Sequence, residues 1–279
     1  MDKNILITGS GGFIGKNLKE FLSDEFNLLT PRSYELDLTN PINVEKYFLN
    51  NEIDFIVHCA TIGGVRGIRD PINTIDYNIA MVENLLNSKR KNVQMIVFGS
   101  GAMYDKNRDL HKVKESGIGE VIPKDLYGLS KLKISDIVNK RDDMTCLNIF
   151  GCYGKWEKPS RFPTYAILQN INRKPIEINQ NVIFDYIYIE DLVKIVYYFI
   201  MNKPKDKIIN VTPTKSISLV EISNIINKIG DFKSEILIKN KEMNFEYTGD
   251  NSILRKNCII NFTPYEVGLK NLYGVLNGI

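Results

Sequence analysis

The pair Tyr127 and Lys131 has the clearest chemical meaning in the sequence. The two residues are four positions apart, and the segment 127–138 has apolar residues at helical spacing, so both side chains lie on one face of a predicted helix. A lysine ammonium beside a phenol lowers the pKa of the tyrosine, which is about 10 when unperturbed. The pair therefore predicts a tyrosine that exchanges a proton with a substrate. In a chain with 14 tyrosines, an isolated pair of this spacing is more often structural.

A glycine-rich segment near the N-terminus supports the functional interpretation. Three glycines follow the apolar run 5–7 in the spacing G-x-x-G-x-x-G, and a helical pattern comes after them. Without β-carbons the backbone can approach a phosphate, and the free N–H groups of the helix start bind it. The spacing is a variant of the best-known dinucleotide fingerprint, G-x-G-x-x-G. The predicted cofactor-binding residues of this loop are Gly9, Gly12, Phe13, Ile14 and Gly15.

Ser100 is the third candidate for chemistry. It follows the β-rich run 93–98, and ligands of parallel sheets gather at the carboxyl ends of the strands. A substrate oxygen there would lie between the Ser100 hydroxyl and the phenol of Tyr127. We therefore group Ser100 with Tyr127 and Lys131 as candidate catalytic residues.

Alternating strands and helices are predicted to position these residues. β-rich runs at 5–7, 55–57, 93–98 and 146–150 are separated by helical patterns, which is the rhythm of βαβ units. The predicted fold class is α/β, with a Rossmann-type doubly wound parallel sheet and a smaller C-terminal substrate-binding cap. Farther along, 183–189 is predicted as a strand, and a helix starts at Asp191.

These patterns suggest a division into two domains. We expect a NAD(P)-binding Rossmann domain over 1–152, to which 183–215 returns. The remaining segments, 153–182 and 216–279, are expected to form the substrate-binding cap.

The residues after the second predicted strand indicate which dinucleotide binds. Arg32 and Ser33 stand where an acidic residue would bind the ribose of NAD, and the first carboxylate is Glu35. A guanidinium pairs well with the 2′-phosphate of NADP, so NADPH is predicted and NAD is less favoured. The alternative is that Arg32 is a solvated loop charge. Asp37 suits the adenine amino group, and Leu38 suits the adenine face.

Composition excludes several classes of partner. A net charge of +3 on 279 residues, without a basic stripe, argues against nucleic acid. The apolar stretch 192–201 contains Lys194 and is too short to cross a bilayer. Four cysteines without metal-like spacing favour no metal and a reducing compartment. We expect a cytoplasmic protein whose partner is a small molecule.

Several segments together resemble one enzyme family. Besides the glycine loop, Ser100 and the Tyr127–Lys131 pair, they are 37–38, 58–60 and 185–191. As a set they are similar to the extended short-chain dehydrogenase/reductase family of NAD(P)-dependent nucleotide-sugar epimerases, dehydratases and reductases. The likeness runs from residue 1 to about 200, and the segments 60–65 and 78–84 most resemble GDP-L-fucose synthase-like reductases.

The resemblance implies a mechanism for these residues. Tyr127 would give a proton to a sugar keto oxygen as NADPH delivers hydride, Ser100 would hold that oxygen, and Lys131 would bind the ribose and tune the phenol. It also implies further contacts: to the cofactor from Ala60, Lys131 and Phe150, and to the substrate from Gly63, Gly64, Ala102 and Asn148.

Departures from the family pattern limit which of the family's reactions the chain is expected to catalyse. GDP-fucose synthases carry a cysteine two residues after the serine and a histidine before their substrate helix, as the epimerase acid and base. Here the positions hold Ala102 and Arg161, and neither side chain transfers a proton at neutral pH. Dehydratases place Asp-Glu after the active-site hydroxyl, whereas this chain has Gly101 and Ala102. These changes predict a reductase without an epimerase or dehydratase step.

A further departure concerns the substrate's pyrophosphate. Many relatives place an arginine directly before the segment 185–191, and here Phe184 stands there. Arg161 and Arg255 are the predicted substrate-binding replacements, although any one of them is more often a solvated surface cation.

The predicted function is NADPH-dependent reduction of the keto group of a nucleotide-activated 4-keto-6-deoxysugar. Two alternatives stay open: a nucleotide-sugar C4 epimerase with tightly bound NAD, and a non-catalytic dinucleotide-binding sensor. The resemblance also implies a homodimer that packs through the helices at 78–86 and 127–138.

Overall fold

A computed structural model describes residues 3–65 and 67–278 of the chain. The strands are β1 Asn4–Thr8, β2 Asn27–Leu29, β3 Phe55–His58, β4 Gln94–Ser100, β5 Leu110–Val113, β6 Met144–Ile149, β7 Gly151–Tyr153, β8 Ile176–Asn181, β9 Ile183–Phe184, β10 Tyr186–Tyr188, β11 Ile208–Val211, β12 Ile217–Ser218, β13 Ile236–Met243 and β14 Tyr247–Gly249. The helices are α1 Phe13–Leu22, α2 Pro41–Asn50, α3 Thr74–Ser88, α4 Leu126–Asn139, α5 Phe162–Ile171, α6 Ile189–Met201, α7 Leu219–Ile229, α8 Ser252–Asn257 and α9 Tyr265–Asn277.

A parallel sheet forms the centre of the fold. Among the described residues it has six strands in the order β11-β6-β4-β3-β1-β2, and every neighbouring pair is parallel. The chain leaves β1 for β2 on one side and then crosses to β3 on the other. This reversal is a topological switch point, where α/β proteins bind ligands outside the carboxyl ends of the strands. The predicted Rossmann-type α/β fold is confirmed.

Both faces of the sheet are buried, because successive side chains of a strand point to opposite sides. Ile5 and Ile7 join the core that contains α1 and α6, whereas Leu6 joins the core that contains α3 and α4. All three side chains are fully buried, and each contributes roughly 1.5–3 kcal/mol by leaving water. The sheet is therefore a rigid platform for the loops at its carboxyl edge.

Smaller sheets extend the fold beyond this platform. β14 joins β5, β9 and β12 in a four-stranded sheet, and β8 pairs with β13. The helices α5, α7 and α9 pack against one another beside them. The pairing of β14 with β5 brings the late segment 247–249 to the residues that follow β4.

The single strand predicted over 183–189 is wrong. The structure has two short strands, β9 and β10, which belong to different sheets and are separated by Asp185. The Asp185 carboxylate is fully buried and accepts hydrogen bonds from Lys112, Ser216 and the backbone N–H of Gly249. These partners compensate for the cost of burying a carboxylate between the two strands.

In the described ranges, no helix is both long and apolar enough to cross a membrane. The four cysteines are free thiols, and the described residues form no cluster of side chains that could hold a metal ion.

Candidate active site

The glycine loop, residues 9–15, forms a cradle at the end of β1 whose geometry suits a phosphate. Gly9 has a φ of +65°, and a β-carbon on it would lie 2.6 Å from the backbone nitrogen of Ala60, so the loop requires glycine there. The backbone N–H of Gly12 donates to the Gly9 carbonyl at 2.9 Å, and α1 begins at the next residue, Phe13. The free N–H groups of this first turn face the switch point, as a bound pyrophosphate requires.

Arg32 lies over the same loop. A β-carbon on Gly11 would be 2.5 Å from one guanidinium nitrogen of Arg32, so the side chain folds back across the cradle. The neighbouring Asp37 carboxylate accepts from the backbone and hydroxyl of Thr39, and the Leu38 side chain is buried in the core. The structure thus places a cation beside the position where the adenosine end of a dinucleotide would lie.

A cavity of about 870 Å³ opens next to the cradle at the carboxyl ends of the strands. Its walls come from both the large sheet and the late segments of the chain. It brings together nine of the residues predicted from sequence: Phe13, Ile14, Gly64, Ser100, Ala102, Tyr127, Lys131, Phe150 and Arg161.

Three predicted substrate residues lie outside the wall of this cavity as the structure describes it. Asn148 is fully buried, and its amide donates to Asn210 at 3.1 Å. Arg255 is exposed on α8. Gly63 packs against Asp70 and Thr74, one residue away from the wall.

Lys131 is buried beside Tyr127 on α4. Its ammonium donates to the carbonyl oxygen of Phe98 at 2.8 Å and lies 5.4 Å from the centre of the Tyr127 ring. Burial lowers the pKa of Lys131 to about 8, against the raising effect of the nearby Cys146 and Cys59 thiols. The lysine is thus held by the strand that ends in Ser100.

The predicted lowering of the Tyr127 pKa is wrong for the polypeptide alone. Burial at the cavity wall raises the pKa of Tyr127 above its ordinary value of 10, although a hydrogen bond with Ser100 and the positive charge of Arg161 both lower it. Desolvation of the phenolate outweighs these opposing effects. The raised pKa suits a reduction, because a phenol that stays protonated at neutral pH is a proton donor.

Ser100 ends β4 directly in front of the phenol. Its side chain is 7% exposed, and its oxygen accepts from the backbone N–H of Ala102 at 3.2 Å. The same hydroxyl lies close enough to Tyr127, and to Tyr247 of β14, to lower the pKa of each phenol. Sequence reasoning missed Tyr247, because no local pattern marks it.

Asp70 is a second missed residue, and it fixes the loop that faces Tyr127. One carboxylate oxygen accepts from the backbone N–H of Gly64 at 2.8 Å, and the other from the backbone N–H of Tyr127 at 3.0 Å. Gly64 has a φ of +70°, and a β-carbon there would be 2.9 Å from the Tyr127 ring. The loop and the start of α4 are therefore held together with the ring closely packed.

Glu157 is the third missed residue and also lines the cavity. The Thr164 hydroxyl donates to one carboxyl oxygen at 2.6 Å, while the other is buried without a partner among the described residues. Burial raises the pKa of Glu157 to about 8, despite the Thr164 hydrogen bond and the charge of Arg161. The residue is only 6% exposed, so burial favours the neutral, protonated carboxyl group.

Glu157→Gln is expected to remove a pH dependence of stability. The folded protein holds a proton on Glu157 up to a pH of about 8, whereas the unfolded chain releases it near 4.5. The free energy of unfolding of the wild type should therefore fall between these pH values, on the order of a few kcal/mol. Urea unfolding at pH 5 and pH 9 should show the variant gaining stability relative to wild type at the higher pH. The exposed Glu45→Gln is the matched control, and an equal difference at both pH values for Glu157→Gln would contradict the expectation.

Comparisons with known proteins define the class. The family model described as the NAD dependent epimerase/dehydratase family matches residues 5–212, and the chain belongs to this family. The predicted membership in the extended short-chain dehydrogenase/reductases is confirmed.

Individual relatives are sugar-nucleotide enzymes. The chain is 28% identical over 302 residues to a GDP-L-colitose synthase of Yersinia pseudotuberculosis, covering 99% of this chain and 95% of that protein. A GDP-L-fucose synthase of Azorhizobium caulinodans is 36% identical over 107 residues, covering 37% of this chain and 34% of that protein. Among solved structures, a GDP-mannoheptose C4 reductase from Campylobacter jejuni with NADP bound has a TM-score of 0.81 at 21% identity, covering 98% of this chain and 97% of that chain. Because its sequence identity is low, this last match supports the fold alone.

Proposed function

We propose that the protein reduces the 4-keto group of a nucleotide-activated 4-keto-6-deoxysugar with NADPH, without an epimerase step. The observation that carries the proposal is that Ser100, Tyr127 and Lys131 line one cavity beside the phosphate cradle. A protonated phenol in this position suits reduction of a carbonyl. The absence of an epimerase step rests on Ala102, which has no ionisable group.

The residues of the chain would perform distinct steps. Bound NADPH supplies the hydride. Tyr127 donates its phenolic proton to the oxygen that becomes the new hydroxyl, and Ser100 donates a hydrogen bond to the same oxygen. Lys131 would hold the ribose next to the phenol, and its positive charge would stabilise the phenolate that forms. Run in reverse with NADP⁺, the same groups would oxidise an alcohol.

The preference for NADPH rests on Arg32. Its guanidinium lies against the cradle at Gly11, where it would meet a 2′-phosphate in a charge-assisted pair. The Campylobacter reductase that shares the fold was solved with NADP, which is consistent with this preference.

The substrate class rests on the relatives and on cations at the cavity. The colitose and fucose synthases are named for GDP sugars. Phe184 lines the cavity where relatives have a pyrophosphate-binding arginine, but Arg69, Lys106, Lys124 and Arg161 also line it. These cations would offset the diphosphate charge of a sugar nucleotide.

The test is a substrate panel. We would incubate the protein with NADPH or NADH and 4-keto-6-deoxysugars carrying GDP, dTDP, CDP or UDP, and follow the absorbance of the reduced cofactor. Consumption with one sugar, faster with NADPH, is the expected result. A protein that binds dinucleotide but consumes none would contradict the reductase and favour the C4 epimerase.

Deuterium labelling tests the absence of epimerisation. The reduction is run in D₂O with the active sugar, and the product is analysed by NMR. No deuterium on a ring carbon is expected, because reduction from NADPH carries protium. Carbon-bound deuterium would contradict this part of the proposal and direct attention to Glu157, whose pKa of about 8 permits proton transfer.

We also propose how the chain is organised. Residues 1–152 with 183–215 would bind the dinucleotide, and 153–182 with 216–279 would cover the sugar. The cavity wall includes Phe13 from the first group and Phe245 from the second, which is consistent with this division.

A homodimer in the cytoplasm completes the proposal. The helices α3 and α4 pack side by side, and Tyr77 of α3 is 42% exposed, as expected for helices that meet a second copy across a two-fold axis. Analytical ultracentrifugation should give twice the mass of the chain. A monomer at micromolar concentration would contradict the dimer.

A further inference from the structure

Tyr247 reaches the proposed site from the far end of the chain. It begins β14, which pairs with β5 and β9. Its ring packs against Phe150, with centroids 5.2 Å apart, and against Phe184 at 5.4 Å. Two aromatic neighbours leave this ring little freedom to turn, so its hydroxyl has a fixed position at the cavity wall.

That hydroxyl is directed at the end of β4. A β-carbon on Gly101 would lie 2.6 Å from the Tyr247 hydroxyl oxygen, so the phenol occupies the space that a side chain at 101 would fill. Burial raises the pKa of Tyr247 well above 10, although the nearby Ser100 hydroxyl lowers it. Tyr247 therefore keeps its proton, and Ser100 lines the cavity together with two phenols, Tyr127 and Tyr247.

The hydrogen-bonding capacity of Ser100 gives this arrangement a direction. A serine hydroxyl has one proton to donate and two acceptor positions. The backbone N–H of Ala102 fills one acceptor position at 3.2 Å, and the protonated Tyr247 can fill the second. With both acceptor positions filled in this way, the single Ser100 proton would be left to donate toward Tyr127 and the space between the two hydroxyls.

We propose that Tyr247 is a positioning residue, which donates to Ser100 and so directs the Ser100 proton to the keto oxygen of the substrate. The inference rests on the proposed reduction and adds a residue to it. In the reaction the Tyr127 proton passes to the substrate oxygen, while Ser100 and Tyr247 keep their protons throughout. Without Tyr247, the Ser100 hydroxyl could rotate and donate elsewhere, and the developing alkoxide would lose part of its stabilisation.

A double-mutant cycle tests the proposal. The kcat for NADPH oxidation with the reduced sugar is measured for wild type, Tyr247→Phe, Ser100→Ala and the double variant. Tyr247→Phe should lower kcat about five- to tenfold, as the loss of one hydrogen bond does, with the KM for the sugar changed less than about twofold. In the Ser100→Ala background the same change should lower kcat less than twofold, because Tyr247 acts only through Ser100.

The matched control is Tyr273→Phe. Tyr273 lies on α9, and its phenol hydroxyl donates to Asn170 at 3.0 Å. Removing this hydroxyl should leave kcat unchanged in both backgrounds. Dinucleotide affinity and the melting temperature of Tyr247→Phe are measured alongside, and both should stay near wild type.

The outcomes separate the two proposals. If Tyr247→Phe lowers kcat equally in the wild-type and Ser100→Ala backgrounds, the positioning role of Tyr247 is overturned and the proposed reductase activity is not affected. A loss confined to KM or to stability would overturn the positioning role as well. A wild-type protein that reduces none of the sugars would overturn the proposed function and this inference with it.

Discussion

Tyr127→Phe is expected to lower kcat for NADPH oxidation by about 10²–10⁴-fold, the contribution of a well-placed general acid. The phenol has no equivalent substitute at the reacting oxygen, since Ser100 and Tyr247 must keep their protons in the proposed mechanism. The ring itself stays in the phenylalanine variant, so its close contact with Gly64 is preserved. The measurement is steady-state oxidation of NADPH with the sugar that the wild type reduces.

Binding measurements separate chemistry from folding in this variant. In the proposed mechanism the dinucleotide would contact the cradle and Lys131 rather than the phenolic oxygen, so NADPH affinity of Tyr127→Phe should lie within about twofold of wild type. Tyr273→Phe again serves as the matched control with unchanged kcat. Activity of Tyr127→Phe within tenfold of wild type would identify another proton donor, and Tyr247, the other phenol at Ser100, would be the first to examine.

The parts of this site that lie close together in sequence were predictable. The cradle is formed by consecutive residues between β1 and α1, and Tyr127 and Lys131 share one helical face. In both cases chain geometry alone sets the arrangement, whatever packs around it. The alternation of strands and helices likewise fixed the parallel sheet, since a parallel pair needs a crossover connection.

The parts that depend on tertiary packing were not predictable. Tyr247 meets Ser100 because β14 pairs with β5, across more than 130 residues of chain. Asp70 and Glu157 are polar residues in loops, and their roles arise only where Asp70 joins two segments and Glu157 becomes buried. Residue type and spacing contain no information about such distant contacts.

The pKa of Tyr127 is a further property that depends on tertiary packing. The spacing of Tyr127 and Lys131 indicated a lowered phenol pKa, but spacing does not say how deeply either group is buried. In the folded chain the lysine donates to the Phe98 carbonyl, and burial raises the pKa of the phenol. The same two residues thus suit proton donation better than the phenolate that the sequence suggested.

Arg32→Ala should lower the affinity for NADPH by about 10- to 100-fold, because a charge-assisted pair with the 2′-phosphate is worth about 1.5–3 kcal/mol. NADH has no 2′-phosphate, so its affinity should change less than about threefold. Glu35 accepts from the backbone N–H of Arg32 at 2.6 Å, and this backbone contact remains possible when the guanidinium is removed. The measurement is fluorescence titration with each reduced dinucleotide.

The comparison of the two dinucleotides identifies what Arg32 contacts. The exposed Arg173→Ala removes a cation of the same type elsewhere and should leave both affinities unchanged. A loss of equal size for NADPH and NADH would mean that Arg32 meets a group common to both, such as the pyrophosphate above Gly11. Unchanged affinity for both would make Arg32 a solvated charge and would remove the main support for NADPH. A loss restricted to NADPH would assign the 2′-phosphate to Arg32, since that phosphate is the group by which the two dinucleotides differ.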